Sequence, residues 1–315
     1  MTTFAPDSSP LEVLPRDLSA YRQGNTGIDY VHRFESGRPG PHVLVNALTH
    51  GNEICGMVAA THLLDTGVRP RVGTLTVSFA NVEAYEAFDI ERPYENRQLV
   101  HNLNRIWSPE MLDGSEQSPE LRRARELRPV LAAADSILDI HSTRAPVQPF
   151  WVYPEFERNA ALTLAVGSPL VHLVMPPGAA PGTGVMSYAR HGDPAGDSLG
   201  AMVVECGQHF SQSAAELATD VTLRFLAHHG LIDALPAAVA GAPARRFRLL
   251  DVHMVKTPGF AFVRPVIGFE TFAKGELIAV DAGREIRSPC DDCTIFMPTR
   301  DPVVGREGVY LTVQI

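Results

Sequence analysis

His50 and Glu53 stand three residues apart in "NALTHGNEICG" (46–56), where an apolar run gives way to helix-like sequence. Imidazole and carboxylate are ligands that zinc accepts, and a catalytic zinc takes about three protein ligands and keeps one position open. Gly51 between them would give the backbone freedom to aim both side chains at one point. A third ligand must come from elsewhere. "SILDIHS" (136–142) offers His141 after an apolar strand, with Asp139 two residues earlier and hence on the same strand face if the alternation holds. A carboxylate there could orient the imidazole, or could face elsewhere. An HxxE pair in a chain with 12 histidines can arise by chance. A lone histidine after a strand is also often an ordinary hydrogen-bonded residue. The pattern gains weight because both sites end strands of what reads as one sheet, and ligands of open α/β sheets bind at the carboxyl ends of strands.

"AMVVECGQH" (201–209) places Glu205 late in another apolar strand. A carboxylate among Val203, Val204 and Cys206 is costly unless it is paired or functional. It reads either as a solvated or arginine-bridged strand end, or as a general base that takes a proton from water and returns it to a leaving amine. Arg97, Asn104 and Arg105 lie in "ENRQLVHNLNRIW" (95–107). Arginine grips carboxylates bidentately, and asparagine both donates and accepts. Solvated loop arginines are the bland alternative, but Leu103, Ile106 and Trp107 suggest that this loop packs inward.

The elements that must hold these residues read as alternating strands and helices. "GIDYVHRFES" (27–36), "HVLVNAL" (42–48), "GTLTVSFAN" (73–81), "SILDIHS", "FWVY" (150–153), "LVHLVMP" (170–176) and "AMVVECG" (201–207) are β-like. Residues 54–67, 120–134 (despite Pro129) and 213–230 carry helical patterns. That alternation argues for an α/β fold with a largely parallel sheet. Residues 91–119 show no period, and loops of that length are usually functional or disordered. Domain 1–234 should carry the chemistry. The Ala/Pro-rich stretch 235–246 reads as a linker, and 247–315 as a small all-β domain with turns at "TPGF", "KGE", "AGRE" and "CDDC".

Bulk properties exclude several function classes. A formal net charge of −9 argues against nucleic acid or an anionic membrane surface as partner, since both want a basic face. No apolar run approaches the ~18 residues of a membrane span. The N-terminus "MTTFAPDSSPLEVLPRD" has no basic stretch followed by an apolar core, so no secretory signal is expected and a cytoplasmic protein is the default. Four cysteines are too few for a disulfide scaffold in a chain this long. Cys290 and Cys293 read as ordinary thiols, because one CxxC cannot complete a zinc site alone.

Taken together, HGNE (50–53), Arg97 with "NLNRIW" (102–107), "DIHS" (139–142) and "VVECG" (203–207) resemble the succinylglutamate desuccinylase/aspartoacylase family of zinc carboxypeptidase-like amidohydrolases. The four blocks occur in the family's order over most of the chain, and "FAKGELIAVDAGREIRSPCDDCTIFMP" (272–298) resembles its small β domain. The resemblance implies a zinc-carboxypeptidase-like mixed, largely parallel sheet flanked by helices. It implies one zinc ion held by His50, Glu53 and His141, with Glu205 as general acid/base. Arg97 would polarise the scissile carbonyl, and Asn104 and Arg105 would hold the substrate's α-carboxylate. The implied reaction is hydrolysis of the amide of a small anionic N-acyl amino acid. Tyr188 and Arg190 in "SYAR" are candidates for the acid-binding pair of a later loop, and Arg144 for a further substrate contact. Two departures stand out. Asn102 replaces the family's usual aspartate, and no C-terminal tyrosine is evident, Tyr310 lying in an apparent strand. The alternatives to a deacylase are a carboxypeptidase-like enzyme with the same metal chemistry and a non-catalytic binder with a degenerate site. A homo-oligomer is compatible with the sequence.

Overall fold

The computed structural model describes residues 10–236 and 243–315. Its first half alternates β1 (Val31–Glu35), β2 (His42–Ala47), α1 (Cys55–Asp65), β3 (Thr74–Phe79) and the short α2 (Val82–Glu86). The stretch without period, 91–119, contains two 3-10 turns, Glu95–Arg97 and Leu103–Arg105, and α3 (Pro109–Asp113). Then come α4 (Pro119–Ala133), β4 (Ser136–Thr143), β5 (Phe150–Pro154), α5 (Glu157–Val166), β6 (Val171–Met175), β7 (Gly200–Gln208) and α6 (Gln212–His228). The remainder is all strand: β8 (Arg245–Met254), β9 (Ala261–Phe262), β10 (Thr271–Phe272), β11 (Leu277–Asp281), β12 (Arg284–Arg287), β13 (Cys293–Phe296) and β14 (Glu307–Gln314).

One sheet of eleven strands runs β1-β3-β2-β4-β7-β5-β6-β8-β14-β13-β10. Strands β3, β2, β4 and β7 are mutually parallel. β5 turns antiparallel to β7, and β6 and β8 continue parallel to β5. The valine- and isoleucine-rich interiors of β4 and β7 are buried along nearly their whole length, as parallel strands covered on both faces must be. Helices α1, α5 and α6 cover one face through Val45, Ile140, Val204 and Phe225. On the other face α4 and the Leu103–Trp107 segment pack against Leu44, Ile137 and Ala201. His141 and Glu205 fall on this second face by strand alternation.

The C-terminal region is all-β, as its sequence suggests, but it is joined edge to edge with the first half. Residues 237–242 of the expected linker lie outside the described residues. Arg245 and Arg246, also assigned to the linker from sequence, instead open β8, which pairs with β6 from Val171↔Arg245 to Val174↔Arg248. A second sheet, β12-β11-β9, packs beside it around Val255, Phe260 and Ile278. Asp281 fastens this region by accepting from the Lys256 and Thr257 amides, the Thr257 hydroxyl and His253 Nε2.

Candidate active site

The parallel pairing of β2, β4 and β7 brings the site together. His141 and Glu205 are direct neighbours in the β4–β7 register. Both lie inside their strands rather than just past them, since β4 runs to Thr143 and β7 to Gln208. One strand over, β2 ends at Ala47, and Leu48 turns the chain in the left-handed region at φ 59°. That conformation is strained for a bulky residue. Two backbone bonds hold it, from Ala80 N to Ala47 O and from Asn81 N to Leu48 O, both 2.8 Å.

Gly51 is needed at this turn for a different reason from the one its sequence position suggests. Its φ is not positive. Instead the backbones of two neighbouring segments press on it: a Cβ there would lie 2.4 Å from Asn96 O in the 3-10 turn and 2.6 Å from Tyr85 N in α2. Close approach, not conformational freedom, requires the glycine. The Gly51 N–H also donates to Arg97 O at 3.0 Å.

His50, Glu53 and His141 form a buried cluster whose ligand atoms all lie within 4.8 Å of one another. Glu53 Oε1 lies 2.8 Å from His50 Nδ1, and its Oε2 lies 2.8 Å from His141 Nδ1. His141 Nε2 faces Asp139 Oδ2 at 2.8 Å, so Asp139 does orient this imidazole. Asp139 Oδ1 in turn accepts from Asn46 Nδ2 at 2.8 Å and Thr49 Oγ1 at 2.7 Å. Ser78 Oγ donates to Asn46 Oδ1, which extends the polar line across three adjacent strands. On the other ring, Asn102 Oδ1 accepts from the Asn104 N–H at 2.8 Å and lies 2.9 Å from His50 Nε2. Asn102, the departure from the family's aspartate, therefore keeps an acceptor against that nitrogen.

This donor set fits a zinc ion. With a proton on His141 Nε2 for Asp139, the Nδ1 lone pair faces Glu53 Oε2, and two acceptors 2.8 Å apart need a proton or a cation between them. Asn102 favours the His50 tautomer that leaves Nδ1 bare, against the pull of Arg97 Nη2, a donor 3.1 Å from the same Nε2. Two imidazole nitrogens and one carboxylate then converge, the number a catalytic zinc uses.

Burial pushes the His50 imidazole down to about 4, helped by the Arg97 guanidinium. Burial would lower His141 too, but Asp139 and Glu53 on either side raise it well above the usual range. Burial would raise Glu53, yet the two histidines and Arg97 hold it well below ordinary carboxylates. Glu205 behaves oppositely. Burial, with Glu53 and Asp139 nearby, raises its carboxyl to about 8 against the pull of His141 and Arg97. Its Oε2 is buried without a hydrogen-bond partner. A neutral-pH proton carrier looks like this.

Arg97 reaches the cluster from its 3-10 turn, with Nη1 2.5 Å from Glu53 Oε1 and Nη2 3.1 Å from His50 Nε2. The loop that carries it is anchored by a residue the sequence reading did not single out. Glu120, buried in the first turn of α4, accepts from the Leu99, Val100 and His101 amides. Asn104 Oδ1 accepts from Val185 N at 3.0 Å, so its NH2 is the end left to donate. Arg105 bonds to Glu307 at 2.8 Å, Tyr310 OH at 3.2 Å and its neighbour's carbonyl, Asn104 O, at 2.8 Å. Tyr310 thus belongs to the site although its strand position gave no sign of it.

Two cavities meet here. An outer one of about 860 Å³ and an inner one of about 290 Å³ share Arg97, Arg105, Glu205 and Tyr310 as lining. Arg144 lines the outer cavity, where it pairs with Asp301 and stacks 4.4 Å from the Tyr94 ring centre. Tyr188 and Arg190, expected at the site, are not brought to it. The Tyr188 ring packs on Trp107, and its hydroxyl accepts from Arg128. Arg190 is held by Asp135, Asp197 and Ala134 O, near the opposite end of β4. These partners decide where the "SYAR" side chains point.

The catalytic-domain model of the succinylglutamate desuccinylase/aspartoacylase family matches residues 39–220. The chain belongs to this family. Its members are hydrolytic deacylases, and all four candidate ligand and proton-carrying residues fall inside the matched span. No curated protein matches the chain. Among solved structures, succinylglutamate desuccinylase from Vibrio cholerae is similar at 16% identity and TM-score 0.69, covering 91% of this chain and 86% of that one. The Chromobacterium violaceum succinylglutamate desuccinylase gives 18% and 0.65, over 92% and 89%. A product-bound ectoine utilization protein from Ruegeria pomeroyi gives 18% and 0.62, over 90% and 88%. At such identities the likeness speaks for the fold alone. Among the described residues, no helix is long and apolar enough to cross a membrane.

Proposed function

We propose that this member of the family is a zinc-dependent amidohydrolase that cuts the linear amide of a small N-acyl amino acid. The observation that carries the reading is the convergence of His50 Nδ1 and His141 Nδ1 on the two oxygens of Glu53, beside Glu205, whose buried Oε2 has no hydrogen-bond partner. A zinc ion held by His50, Glu53 and His141 would supply Lewis acidity to the carbonyl and acidify water to a pKa of about 7.

The chain's own residues do the rest. Glu205 accepts the proton of the attacking water and passes it to the leaving nitrogen. Arg97 stands between the two cavities, where its guanidinium can donate to the developing oxyanion. Arg105 has spent three of its five N–H donors on Glu307, Asn104 O and Tyr310. Those left, with the Asn104 NH2, suit an α-carboxylate; Asn104 lines the inner cavity and Arg105 lines both. Residues 1–234 form the catalytic unit in this proposal, and 247–315 complete its wall through Glu307 and Tyr310.

The test is Glu205→Gln, which is isosteric and cannot carry the proton. Stoichiometric zinc should persist while turnover falls by about 10²–10⁴. A variant turning over at the wild-type rate would remove Glu205 from its role, and a wild-type protein without stoichiometric zinc after metal loading would remove the metal.

A further inference from the structure

The inner cavity has a distinctive wall. Past its mouth it is lined by Val152 of β5, Met175 of β6, Val203 of β7, Phe156 and Met186, closed by the Pro/Gly loop 176–184. Its ionisable lining is confined to the site residues themselves: His50, Arg97, Arg105, His141, Glu205 and Tyr310. The two cations at the mouth are already matched, Arg97 by Glu53 and Arg105 by Glu307. The later loop could have supplied another, but Arg190 is turned away onto Asp135 and Asp197.

We infer that the inner cavity is a specificity pocket for an uncharged, apolar side chain on the amino-acid half of the substrate, and that it rejects acidic side chains. The inference rests on the deacylase reading above. An amide lying between Glu205 and Arg97 sends one half into each cavity. Asn104 lines only the inner one, so an α-carboxylate held there directs the amino-acid side chain inward. An apolar side chain exchanges water for Val152, Met175 and Val203, which is favourable in proportion to the area covered. A second carboxylate would be buried among the same groups with no free cation, and an unpaired buried charge is strongly disfavoured. The wall comes from three strands of one sheet, so the selectivity is built in before substrate arrives.

The test uses the zinc-loaded full chain and N-acyl derivatives of methionine and leucine against those of aspartate and glutamate, each as acetyl, butyryl and succinyl amides. The expected kcat/KM favours the apolar amino acids by about 100-fold or more. Calorimetric titration of Glu205→Gln with N-acetylmethionine and N-acetylaspartate should show the same order without turnover. Met186→Arg, which puts a cation in the pocket, should move the ratio at least tenfold toward aspartate. Equal or better hydrolysis of the acidic amides overturns the inference and leaves the deacylase reading standing. Hydrolysis of none of them overturns that reading, and the inference with it.

Discussion

Asp139→Asn separates the orientation of a ligand from the stability of the sheet that carries it. In the native protein Asp139 Oδ1 accepts from Asn46 and Thr49, and Oδ2 meets His141 Nε2 at 2.8 Å. Asparagine keeps a carbonyl oxygen for the first two partners and turns its NH2 toward Nε2. That nitrogen must then be bare, which moves the imidazole proton to Nδ1, the atom 2.8 Å from Glu53 Oε2. Without metal this is a sound hydrogen bond, so the apoprotein should lose at most about 2 kcal/mol. Metal binding needs the Nδ1 lone pair and suffers directly. Loss of such an outer partner costs roughly 10–100-fold in metal affinity, or about 1.4–2.7 kcal/mol. Competition against a chromogenic chelator gives the zinc Kd, and urea unfolding of the apoprotein gives the stability. An unchanged Kd refutes the tautomer argument. An apoprotein weakened by more than about 4 kcal/mol would show that Asp139 mainly holds the sheet together.

Two further outcomes follow from other parts of the molecule. Burial pushes Asp281 up, but the four bonds it accepts bring its carboxyl down to about 2, below the usual 3.8. A folded-state pKa below the unfolded one gives stability that is present above about pH 4 and lost as pH falls toward 2, amounting to about 2 kcal/mol. Denaturant melts at pH 6 and pH 3 should show about half of that loss, about 1 kcal/mol, and Asp281→Asn should remove it; an unaltered pH slope in the variant would refute the assignment. Gly51→Ala forces a methyl against the Asn96 and Tyr85 backbone, with an expected cost of about 1–3 kcal/mol and weaker zinc binding. A variant with native stability and zinc Kd would show that the turn has slack.

What the sequence made legible followed from polar residues placed where apolar strands end. His50, Glu53, His141 and Glu205 announced themselves in that way, and the parallel sheet announced where they would meet. Asn46 and Ser78 sit within equally apolar strands but drew no notice, because a single polar residue in a strand has many dull explanations. Only the register between strands shows that they form one line to Asp139. Tyr310 and Glu307 reach Arg105, 205 and 202 residues away in sequence, because β14 pairs with β8 and β8 with β6. Tyr188 and Arg190 lie in the right loop, but direction within a loop depends on its partners, here Arg128 donating to the Tyr188 hydroxyl and Asp135 and Asp197 accepting from Arg190. Helix α5 also went unread: its ten residues, ended by Gly167 at φ 78°, are a short run with modest periodicity.

The contact between Gly51 and the Asn96–Arg97 backbone acts as a gauge block. The turn that presents His50 and Glu53 and the segment that presents Arg97 are spaced by main-chain atoms, through the Gly51 N–H and Arg97 carbonyl and a fit with no room for a methyl group. The arginine and the ligand turn therefore hold a common alignment that neither can change alone. Grafting the HGNE turn onto another sheet would transfer two ligands but not this alignment, unless the backbone of residues 84–85 and 94–97 were carried across with it.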